Sequence, residues 1–308
     1  MDYLLIVVAL TLIVVGAMLL TDGSVALARR MHIPEFIVGL TVVAVGTSMP
    51  EMAVSMISAV EGHGDMAIGN VVGSNIANTL LILGVCAIFS PILFTKSNVR
   101  RDVPLNLVVS IVLMIVAFTS AAINRIEGII LLVGYIAMIL YSIRSDRKAM
   151  TESEAETADV MPAWRILVWI VAGLAGLIYG GDMFVNSATN IAKALGVSEA
   201  VIAISLVAVG TSLPELAASL ASIFKGSPSI ALGNIIGSNI ANILLILGAC
   251  STVTPLVMNG ISMTDIYVVV GSAVVLLLSA LCFGDKRISR IEGLLFLAIY
   301  VVYIYTLI

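Results

Sequence analysis

Two short stretches of this sequence, VAVGTSMPE at residues 43–51 and GNVVGSNIAN at residues 69–78, decide its fold. Each stretch occurs twice. VAVGTSLPE stands at residues 207–215 and GNIIGSNIAN at residues 233–242, so both second copies lie 164 positions further along the chain. The chain therefore contains an internal repeat that carries proline, glutamate, asparagine and serine at fixed places in otherwise apolar segments.

The repeat extends well beyond these two motifs. Residues 39–84 align with residues 203–248 without a gap, and 26 of the 46 pairs are identical. A weaker match pairs RIEG at residues 125–128 with RIEG at residues 290–293. A duplicated packing module rich in small residues would explain the glycines, but it would not explain a glutamate at the same depth in both copies. We therefore interpret the repeat as functional.

The composition is that of a membrane protein. Of the 308 residues, 60% are hydrophobic and 11% are charged, whereas a soluble domain has about a quarter charged residues. Ten spans of about 20 residues account for most of the chain, and no remaining polar stretch is long enough for a separate soluble domain. The composition thus excludes an extracellular module, a cytosolic enzyme and a nucleic-acid binder, and it makes the lipid bilayer the partner of the chain.

Polar breaks divide the sequence into ten apolar runs, which we read as helices because an unpaired backbone is too costly in lipid. The run that begins at Tyr3 follows an acidic residue and precedes two arginines, unlike a signal peptide, and is expected to be the first span. The runs cover residues 3–28, 36–60, 66–90, 103–122, 127–143, 164–192, 199–223, 229–253, 265–283 and 290–308.

The basic residues predict the orientation of these spans. With the N-terminus outside, 13 of the 15 Lys and Arg residues fall in inner connections, and only Arg125 and Lys193 fall outside. Such a bias is typical of the cytoplasmic side. We expect both termini outside and a plasma (inner) membrane of a prokaryote. In this orientation Arg125 lies outside, whereas Arg290, its partner in the repeat, lies inside. The two halves must therefore cross the membrane in opposite directions.

The predicted fold is an all-α membrane protein with ten transmembrane helices in two inverted-topology five-helix repeats. The first repeat covers residues 1–143 and the second covers residues 164–308. Residues 144–163 form a hydrophilic, cytoplasmic linker between them. Inverted repeats of this kind place a binding site near the midplane, where interrupted helices of the two halves meet; here these are helices 2 and 7.

Glu51 and Glu215 are expected deep in the membrane, where an ionised carboxylate costs at least ~2.5 kcal/mol. Each follows a proline, which removes an N–H and displaces the carbonyl group four residues earlier. The sequence therefore predicts that both helices are broken just before the glutamate, and that the break exposes backbone oxygens beside the carboxylate.

Hydroxyl and amide groups surround each glutamate in the sequence. In the second motif an asparagine, a serine and a further asparagine stand at positions i, i+4 and i+8. This spacing gives one polar stripe on a helix. We interpret Asn75 and Asn239, which lie off this stripe, as packing or helix-joining residues, with a ligand role as the alternative. The hydroxyls are those of Thr47, Ser48, Thr211 and Ser212, and the stripes are Asn70, Ser74 and Asn78 with Asn234, Ser238 and Asn242.

An oxygen-only set of carboxylates, hydroxyls, amides and carbonyls suits a hard cation. Ca²⁺ takes six to eight oxygen ligands, Mg²⁺ fits less well because it dehydrates reluctantly, and zinc or copper would require nitrogen or sulfur. Two ionised glutamates balance one Ca²⁺ or two Na⁺. The same oxygens can therefore bind competing ions, which is the physical basis of exchange.

The two motifs, present in both halves, resemble those of the sodium/calcium exchanger family within the wider cation/Ca²⁺ antiporter group, and the resemblance covers nearly the whole chain. It implies that Glu51 and Glu215 are the central Ca²⁺ and Na⁺ ligands, and that carbonyls near Ala44 and Ala208 form outer Na⁺ positions. It further implies lining residues in each half, namely Thr47, Ser48, Ser74 and Asn78 in the first and Thr211, Ser212, Ser238 and Asn242 in the second.

Two departures from the family pattern bear on the ion site. Some members carry aspartate at the position of Asn78 or Asn242, so this chain has one carboxylate fewer, which affects the expected exchange ratio. The central linker has only about 20 residues, whereas animal exchangers carry Ca²⁺-sensing domains there. We expect no such regulation in this chain.

The leading hypothesis is a secondary antiporter that exchanges Ca²⁺ for Na⁺, with helices 1 and 6 sliding past the core. H⁺ or K⁺ coupling is the alternative, because a buried carboxylate can take up a proton. An intramembrane hydrolase is disfavoured because no histidine lies within a span, and a passive channel because facing carboxylates favour tight occupancy. No enzymatic activity, cofactor or protein partner is expected, and the ions are substrates.

Overall fold

The described part of the protein is a bundle of helices with four very short strands. A computed structural model describes residues 2–119, 122–147, 161–194, 208–258, 262–282 and 286–307. The helices are α1 (Asp2–Met31), α2 (Glu35–Thr47), α3 (Met49–Val60), α4 (Gly64–Phe89), α5 (Asn98–Thr119), α6 (Arg125–Arg147), α7 (Ala163–Ala194), α8 (Ala208–Thr211), α9 (Leu213–Phe224), α10 (Pro228–Val253), α11 (Met263–Cys282) and α12 (Arg290–Leu307). The strands are β1 (Ile92–Leu93), β2 (Ala122–Ile123), β3 (Leu256–Val257) and β4 (Arg287–Ile288).

The helices have the length and composition of membrane spans. Among the described residues, eight helices are long and apolar enough to cross a bilayer, and the bent pair α2–α3 makes a ninth if it is one span. The membrane-type, all-helical fold is thus confirmed. The predicted run 199–223 falls partly on residues 195–207, which lie outside the described part of the chain, so the count of ten remains a prediction.

Both glutamate-bearing segments are interrupted next to their prolines. Helix α2 ends at Thr47, α3 begins at Met49, and their axes differ by 46°. Ser48, between them, has φ −82° and ψ 9°, and Ser212 takes nearly the same conformation at φ −87° and ψ 2°. Because the proline is the second residue of the following helix in each case, its missing N–H leaves no hydrogen bond unmade.

Helices α4 and α10, which carry the second motif, form the interior of the bundle. In the membrane-spanning part of each helix, 78% of the residues of α4 and 94% of those of α10 are buried, against 22–39% in the other six long helices. Helix α10 lies directly on α2, since a Cβ at Gly233 would come within 2.3 Å of the carbonyl oxygen of Phe36 and one at Gly237 within 2.5 Å of that of Leu40. Glycine permits this contact between backbones.

In the first half, the corresponding contact of α4 would involve Gly69 and Gly73. Around Gly69 and Gly73, nothing in the described part of the chain lies within 4 Å of a Cβ. The repeat would place them against residues 200–204, which lie outside the described residues. The close approach expected at these two glycines therefore stays a prediction.

The two halves of the chain interlock. Helix α4 packs on α12, where a Cβ at Gly293 would lie 2.7 Å from the carbonyl oxygen of Gly84. Helix α10 packs in the same way on α6, where a Cβ at Gly128 would lie 2.9 Å from the carbonyl oxygen of Gly248. Each half thus supplies one wall against the buried helix of the other, and one hydrophobic core contains residues from both.

The short strands tie connections of the two halves together. Strand β1 pairs antiparallel with β4, and β2 pairs antiparallel with β3. Arg125 reinforces the second pair by donating from Nη2 to the carbonyl oxygen of Val253 (3.3 Å). Hydrogen-bonded strands must lie at the same end of a helix bundle. The connections that contain β1 and β4 therefore share one end, and those that contain β2 and β3 share one end.

Helices α1 and α7 form a closely packed pair beside this core. A Cβ at Gly173 would lie 2.6 Å from the backbone nitrogen of Leu20, and one at Gly16 would lie 2.8 Å from the carbonyl oxygen of Gly173. Small residues that bring two helix backbones together are typical of helix pairs in membranes. The two longest helices thus contact each other over an extended interface.

The C-terminal part of α1 is also fastened to α9. The hydroxyls of Thr21 and Ser222 lie 3.3 Å apart, and both side chains are buried. Lys225 forms an ion pair with Asp22 and donates from Nζ to the carbonyl oxygen of Met18 (3.0 Å). These contacts hold the C-terminal part of α1 against α9.

The equivalent face of α3 is open. Ala218, on the face of α9 that α1 covers, is 1% exposed, whereas Val54, its repeat equivalent on α3, is 40% exposed. Two surfaces that the sequence makes equivalent are therefore unequal in the structure.

Candidate functional site

The two glutamates occupy the same place in the two halves. Glu51 is the third residue of α3 and Glu215 is the third residue of α9, and each is 1% exposed. The first turn of a helix favours negative charge, because its free N–H groups carry the positive end of the helix dipole. The sequence folds in this way because the proline that precedes each glutamate starts a new helix there.

The two broken segments meet across the interface of the halves. Ser48 Oγ, in the break of the first half, donates to Oε1 of Glu215 (3.1 Å). The first break thus lies against the carboxylate of the second half, as expected for helices that meet.

Each carboxylate is adjacent to hydroxyl groups of the other half. Thr211 approaches Glu51, and Thr47 approaches Glu215. Thr47 Oγ1 also donates to Oδ1 of Asn234 (3.1 Å), and both side chains are completely buried. The site is therefore assembled from both halves rather than formed twice.

The first asparagine of each polar stripe supports the broken helix. Asn70 Nδ2 donates to Ser55 Oγ (2.9 Å) and to the carbonyl oxygen of Glu51 (3.2 Å). Asn234 Nδ2 donates to Ser219 Oγ (3.0 Å) and to the carbonyl oxygen of the equivalent glutamate (3.4 Å). The sequence analysis overlooked both serines, although each follows its glutamate by four residues and therefore shares its helix face.

The serine of the second stripe contacts the first break. Ser238 Oγ donates to the carbonyl oxygen of Ala44 (3.5 Å). Ser74, its counterpart in the first half, is also buried. Ala208, the first residue of α8, is the sequence counterpart of Ala44. The first break thus brings a backbone oxygen as well as side chains to the interface.

Asn78 and Asn242 lie in π-helical segments, Ala77–Ile82 and Ala241–Ile246, which interrupt α4 and α10 at equivalent places. Both side chains are 1% exposed. Single-turn π segments occur frequently at functional sites. The residue pattern gave no signal for them, because a π turn differs from an α turn in hydrogen bonding and not in residue type.

Asn75 and Asn239 join the two halves, as the sequence analysis favoured. Asn75 Nδ2 donates to the carbonyl oxygen of Asn239 (3.2 Å), and Asn242 Nδ2 donates to Oδ1 of Asn75 (3.0 Å). Asn239 Nδ2 donates to Thr79 Oγ1 (2.8 Å). The buried helices α4 and α10 are thus linked side by side through amides.

Six buried side-chain oxygens of the site have no hydrogen-bond partner. All belong to residues that the sequence analysis proposed as ligands, and five of them carry no hydrogen, so that they can only accept. They are Glu51 Oε1 and Oε2, Glu215 Oε2, Asn78 Oδ1, Asn242 Oδ1 and Ser212 Oγ. An unpaired buried acceptor is costly, and an unpaired buried carboxylate far more so.

The chemistry of these oxygens restricts what can satisfy them. The described residues contain no cluster of three or more His, Cys, Asp or Glu side chains that could hold a metal ion. A cation here would bind two carboxylates together with neutral amide, hydroxyl and carbonyl oxygens. Such ligands suit Na⁺ or Ca²⁺, whereas softer transition metals prefer imidazole and thiolate.

Fold and site together define a multi-pass membrane protein with a buried, oxygen-lined cluster between its two halves. The family model described as sodium/calcium exchanger protein matches residues 1–144 and 165–308. The chain therefore belongs to the sodium/calcium exchanger protein family, which is a family of ion transporters.

Individual relatives match the chain along its length. It is 38% identical to the putative antiporter CaxA of Alkalimonas amylolytica, with 98% of this chain and 97% of that protein covered. It is 30% identical to the sodium/calcium exchanger MaX1 of Methanosarcina acetivorans, with 99% and 98% covered. A solved structure of the sodium-calcium exchanger NCX_Mj, soaked with Na⁺ and Ca²⁺, matches with a TM-score of 0.87 and 32% identity over 100% of this chain and 98% of that one.

Proposed function

We propose that this chain exchanges Ca²⁺ for Na⁺ across the membrane at one site shared by its two halves. The observation that carries the proposal is the set of six unpartnered buried oxygens, contributed by both halves, around Glu51 and Glu215. Acceptors that lack a donor in the protein need a cation or a proton. Because both halves contribute them, we take them as ligands of one shared ion.

Charge and ligand number fit the two ions. Two ionised glutamates neutralise one Ca²⁺ or two Na⁺, and Ca²⁺ takes six to eight oxygens. When Ca²⁺ leaves, Na⁺ restores neutrality at the same carboxylates, so the two ions exclude each other. The relatives named as antiporter and as sodium/calcium exchangers agree with this assignment.

The proposed ligands are those of the sequence analysis. The two glutamates are central, and the carbonyls of Ala44 and Ala208 serve Na⁺ in outer positions, where Ser238 already contacts the first of these oxygens. The remaining ligands are Thr47, Ser48, Ser74 and Asn78 from the first half and Thr211, Ser212, Ser238 and Asn242 from the second. We assign no ligand role to Asn70 and Asn234, because their amides support the broken helices.

The proposed topology has ten spans in inverted repeats of residues 1–143 and 164–308, with both termini outside and the linker 144–163 in the cytoplasm. The strand pairs support it. The connections joined by β1 and β4 are both expected inside, and those joined by β2 and β3 are both expected outside. A topology with one span more or fewer between them would separate strands that are hydrogen-bonded.

The proposed transport cycle is alternating access. The fastened surface between α1 and α9 lies on the side predicted to be cytoplasmic, and the open face of α3 lies towards the outside. This arrangement is closed on the cytoplasmic side, and both glutamates are buried in it. Movement of α1 and α7 past the core would reverse which face is covered. Helix α7 would then cover α3, and α1 would leave α9.

The direct test is ⁴⁵Ca²⁺ uptake into proteoliposomes with an imposed Na⁺, K⁺ or pH gradient. We expect uptake that follows the Na⁺ gradient in the wild type and is lost in Glu51→Gln, which keeps the shape of the side chain and removes its charge. Glu61→Gln, the same change at an exposed connection, is the matched control and should transport normally. Uptake that ignores Na⁺ and follows the pH or K⁺ gradient would assign the coupling to that ion, and undiminished flux in Glu51→Gln would refute the proposal.

A further inference from the structure

The amide of Asn242 is held in one orientation by a chain of hydrogen bonds that crosses the interface of the halves. Asn242 Nδ2 donates to Oδ1 of Asn75 (3.0 Å), and Asn75 Nδ2 donates to the carbonyl oxygen of Asn239 (3.2 Å). All three residues are at most 3% exposed. Water therefore does not compete for these groups.

The chemistry of the last acceptor fixes the whole chain. A backbone carbonyl can only accept, so Asn75 must present its NH₂ group to Asn239. Its oxygen then faces Asn242, which must present its own NH₂ group in return. As a consequence Oδ1 of Asn242 points away from this chain, and there it has no partner in the protein.

The equivalent chain in the other direction is interrupted. By the repeat, Asn239 would orient Asn78 as Asn75 orients Asn242. Instead, Asn239 Nδ2 donates to Thr79 Oγ1 (2.8 Å). In the second half the position of Thr79 is occupied by Ile243, which has no acceptor and so cannot divert Asn75 in the same way. Asn242 is therefore oriented by Asn75, whereas Asn78 is not oriented by Asn239.

We infer that Asn75 is a positioning residue that keeps the Asn242 amide with its oxygen, and not its NH₂ group, turned towards the transported ion. The inference rests on the proposed function, because it takes the unpartnered oxygen of Asn242 as an ion ligand. Without Asn75 the amide can turn over, and its NH₂ group would then repel a cation. Asn75 itself contacts no ion, so its effect is on binding of Ca²⁺ and not on the rate at which the loaded carrier moves.

The test compares Asn75→Leu, which is close in shape but has neither donor nor acceptor, with the wild type. The loss of one orienting hydrogen bond is expected to raise KM for Ca²⁺ about three- to tenfold, while kcat stays near the wild-type value. Calorimetric Kd for Ca²⁺ on the purified protein should rise in parallel. Should Asn75→Leu fail to fold, Asn75→Ala is used for all comparisons.

A double-mutant cycle with Asn242→Asp separates positioning from general packing. An aspartate presents an oxygen on both sides and needs no orientation, so Asn75→Leu should lose its effect on Kd in the Asn242→Asp background. Ser110→Ala is the control, because it removes a buried hydrogen bond to the carbonyl oxygen of Asn106 in its own helix, away from both site asparagines, and its Kd should match the wild type. An undiminished effect of Asn75→Leu in the aspartate background, or an equal effect of Ser110→Ala, would overturn the inference.

The experiment distinguishes failure of the positioning role of Asn75 from failure of the proposed function. If the wild type binds and transports Ca²⁺ but Asn75→Leu has an unchanged Kd, the positioning role is wrong and the proposed function stands. If the wild type exchanges Ca²⁺ for H⁺ instead of Na⁺, the comparison of Ca²⁺ binding still decides the role of Asn75. A wild-type protein that binds no Ca²⁺ overturns both.

Discussion

At the scale of single residues, the contact between Ser48 and Glu215 shows how one half completes the site of the other. The serine hydroxyl donates to the carboxylate (3.1 Å) from within the break of the opposite half. This hydrogen bond orients one carboxylate oxygen and leaves the other unpartnered. The repeat-equivalent hydroxyl, that of Ser212, has no partner. The two carboxylates therefore have different hydrogen-bond partners, although the motifs that carry them are nearly identical in sequence.

Ser48→Ala tests this contact. Loss of a hydrogen bond to a charged group costs about 1.5–3 kcal/mol, so we expect a rise of about tenfold or more in KM for Ca²⁺. The control is Ser110→Ala, which removes an equally buried hydroxyl that bonds only to the carbonyl oxygen of Asn106 in its own helix. Initial rates of ⁴⁵Ca²⁺ uptake measure both variants. Equal KM values for the two would show that the Ser48 hydroxyl does not serve the site.

At the scale of helices, the close packing of α10 on α2 depends on glycine. A Cβ at Gly233 would lie 2.3 Å from a backbone oxygen of α2, and backbone cannot move aside as a side chain can. Gly233→Ala is expected to destabilise the protein by about 1–3 kcal/mol or more, as overpacking does. Gly271→Ala is the control, because that glycine is exposed and nothing described lies within 4 Å of a Cβ there.

Thermal unfolding in detergent measures both glycine variants. The melting temperature should fall in Gly233→Ala and should stay the same or rise in Gly271→Ala, since alanine favours a helix over glycine. Because α2 leads into the first break, Ca²⁺ binding should weaken together with stability in Gly233→Ala. Two variants of equal stability would contradict the packing described here.

The unequal faces of α3 and α9 lead to a prediction about accessibility. We expect a cysteine at Val54 to react with a membrane-impermeant thiol reagent added from outside, and a cysteine at Ala218 to be protected by α1. The native cysteines at positions 86, 250 and 282 are first replaced by alanine. Reaction rates of the two single-cysteine variants, which occupy equivalent positions, provide the comparison. Faster labelling at position 218 than at position 54 would show that the closed surface is not the one between α1 and α9.

At the scale of the whole molecule, the internal repeat explains how two half-chains make one structure. The buried helices α4 and α10 each pack on a helix of the opposite half, at Gly84 with Gly293 and at Gly248 with Gly128. Two of the connections are joined by strands that also cross between the halves. Neither half can therefore form its core without the other, and the site at their interface exists only in the complete fold.

Much of this arrangement could be predicted from the residues. Pro50 and Pro214 mark where a new helix starts, and the spacing of Asn70, Ser74 and Asn78 gives one polar helix face. These are local signals, since a proline or a period of four acts within one turn or two. They single out the two glutamates, but they miss Asn239, whose Oδ1 is also buried and without a partner.

What could not be predicted depends on contacts between distant parts of the chain. The π segments at Asn78 and Asn242 change hydrogen bonding without changing residue type, and the acceptor of Asn75 is a backbone oxygen, which no residue pattern specifies. Ser55 shares a helix face with Glu51, but its hydrogen bond with Asn70 joins two different helices, and no local residue pattern specifies that contact. The inequality of the α3 and α9 faces depends on which neighbouring helix packs on each of them, and the repeat in the sequence does not specify that packing.

The central claim is that one Ca²⁺ is held jointly by Glu51 and Glu215, and calorimetric titration of the purified protein with Ca²⁺ tests it most directly. We predict one Ca²⁺ per chain in the wild type, competition by Na⁺, and loss of binding in Glu51→Gln and in Glu215→Gln alike. Retention of wild-type affinity in either single variant, or two independent Ca²⁺ sites in the unaltered chain, would contradict a shared site.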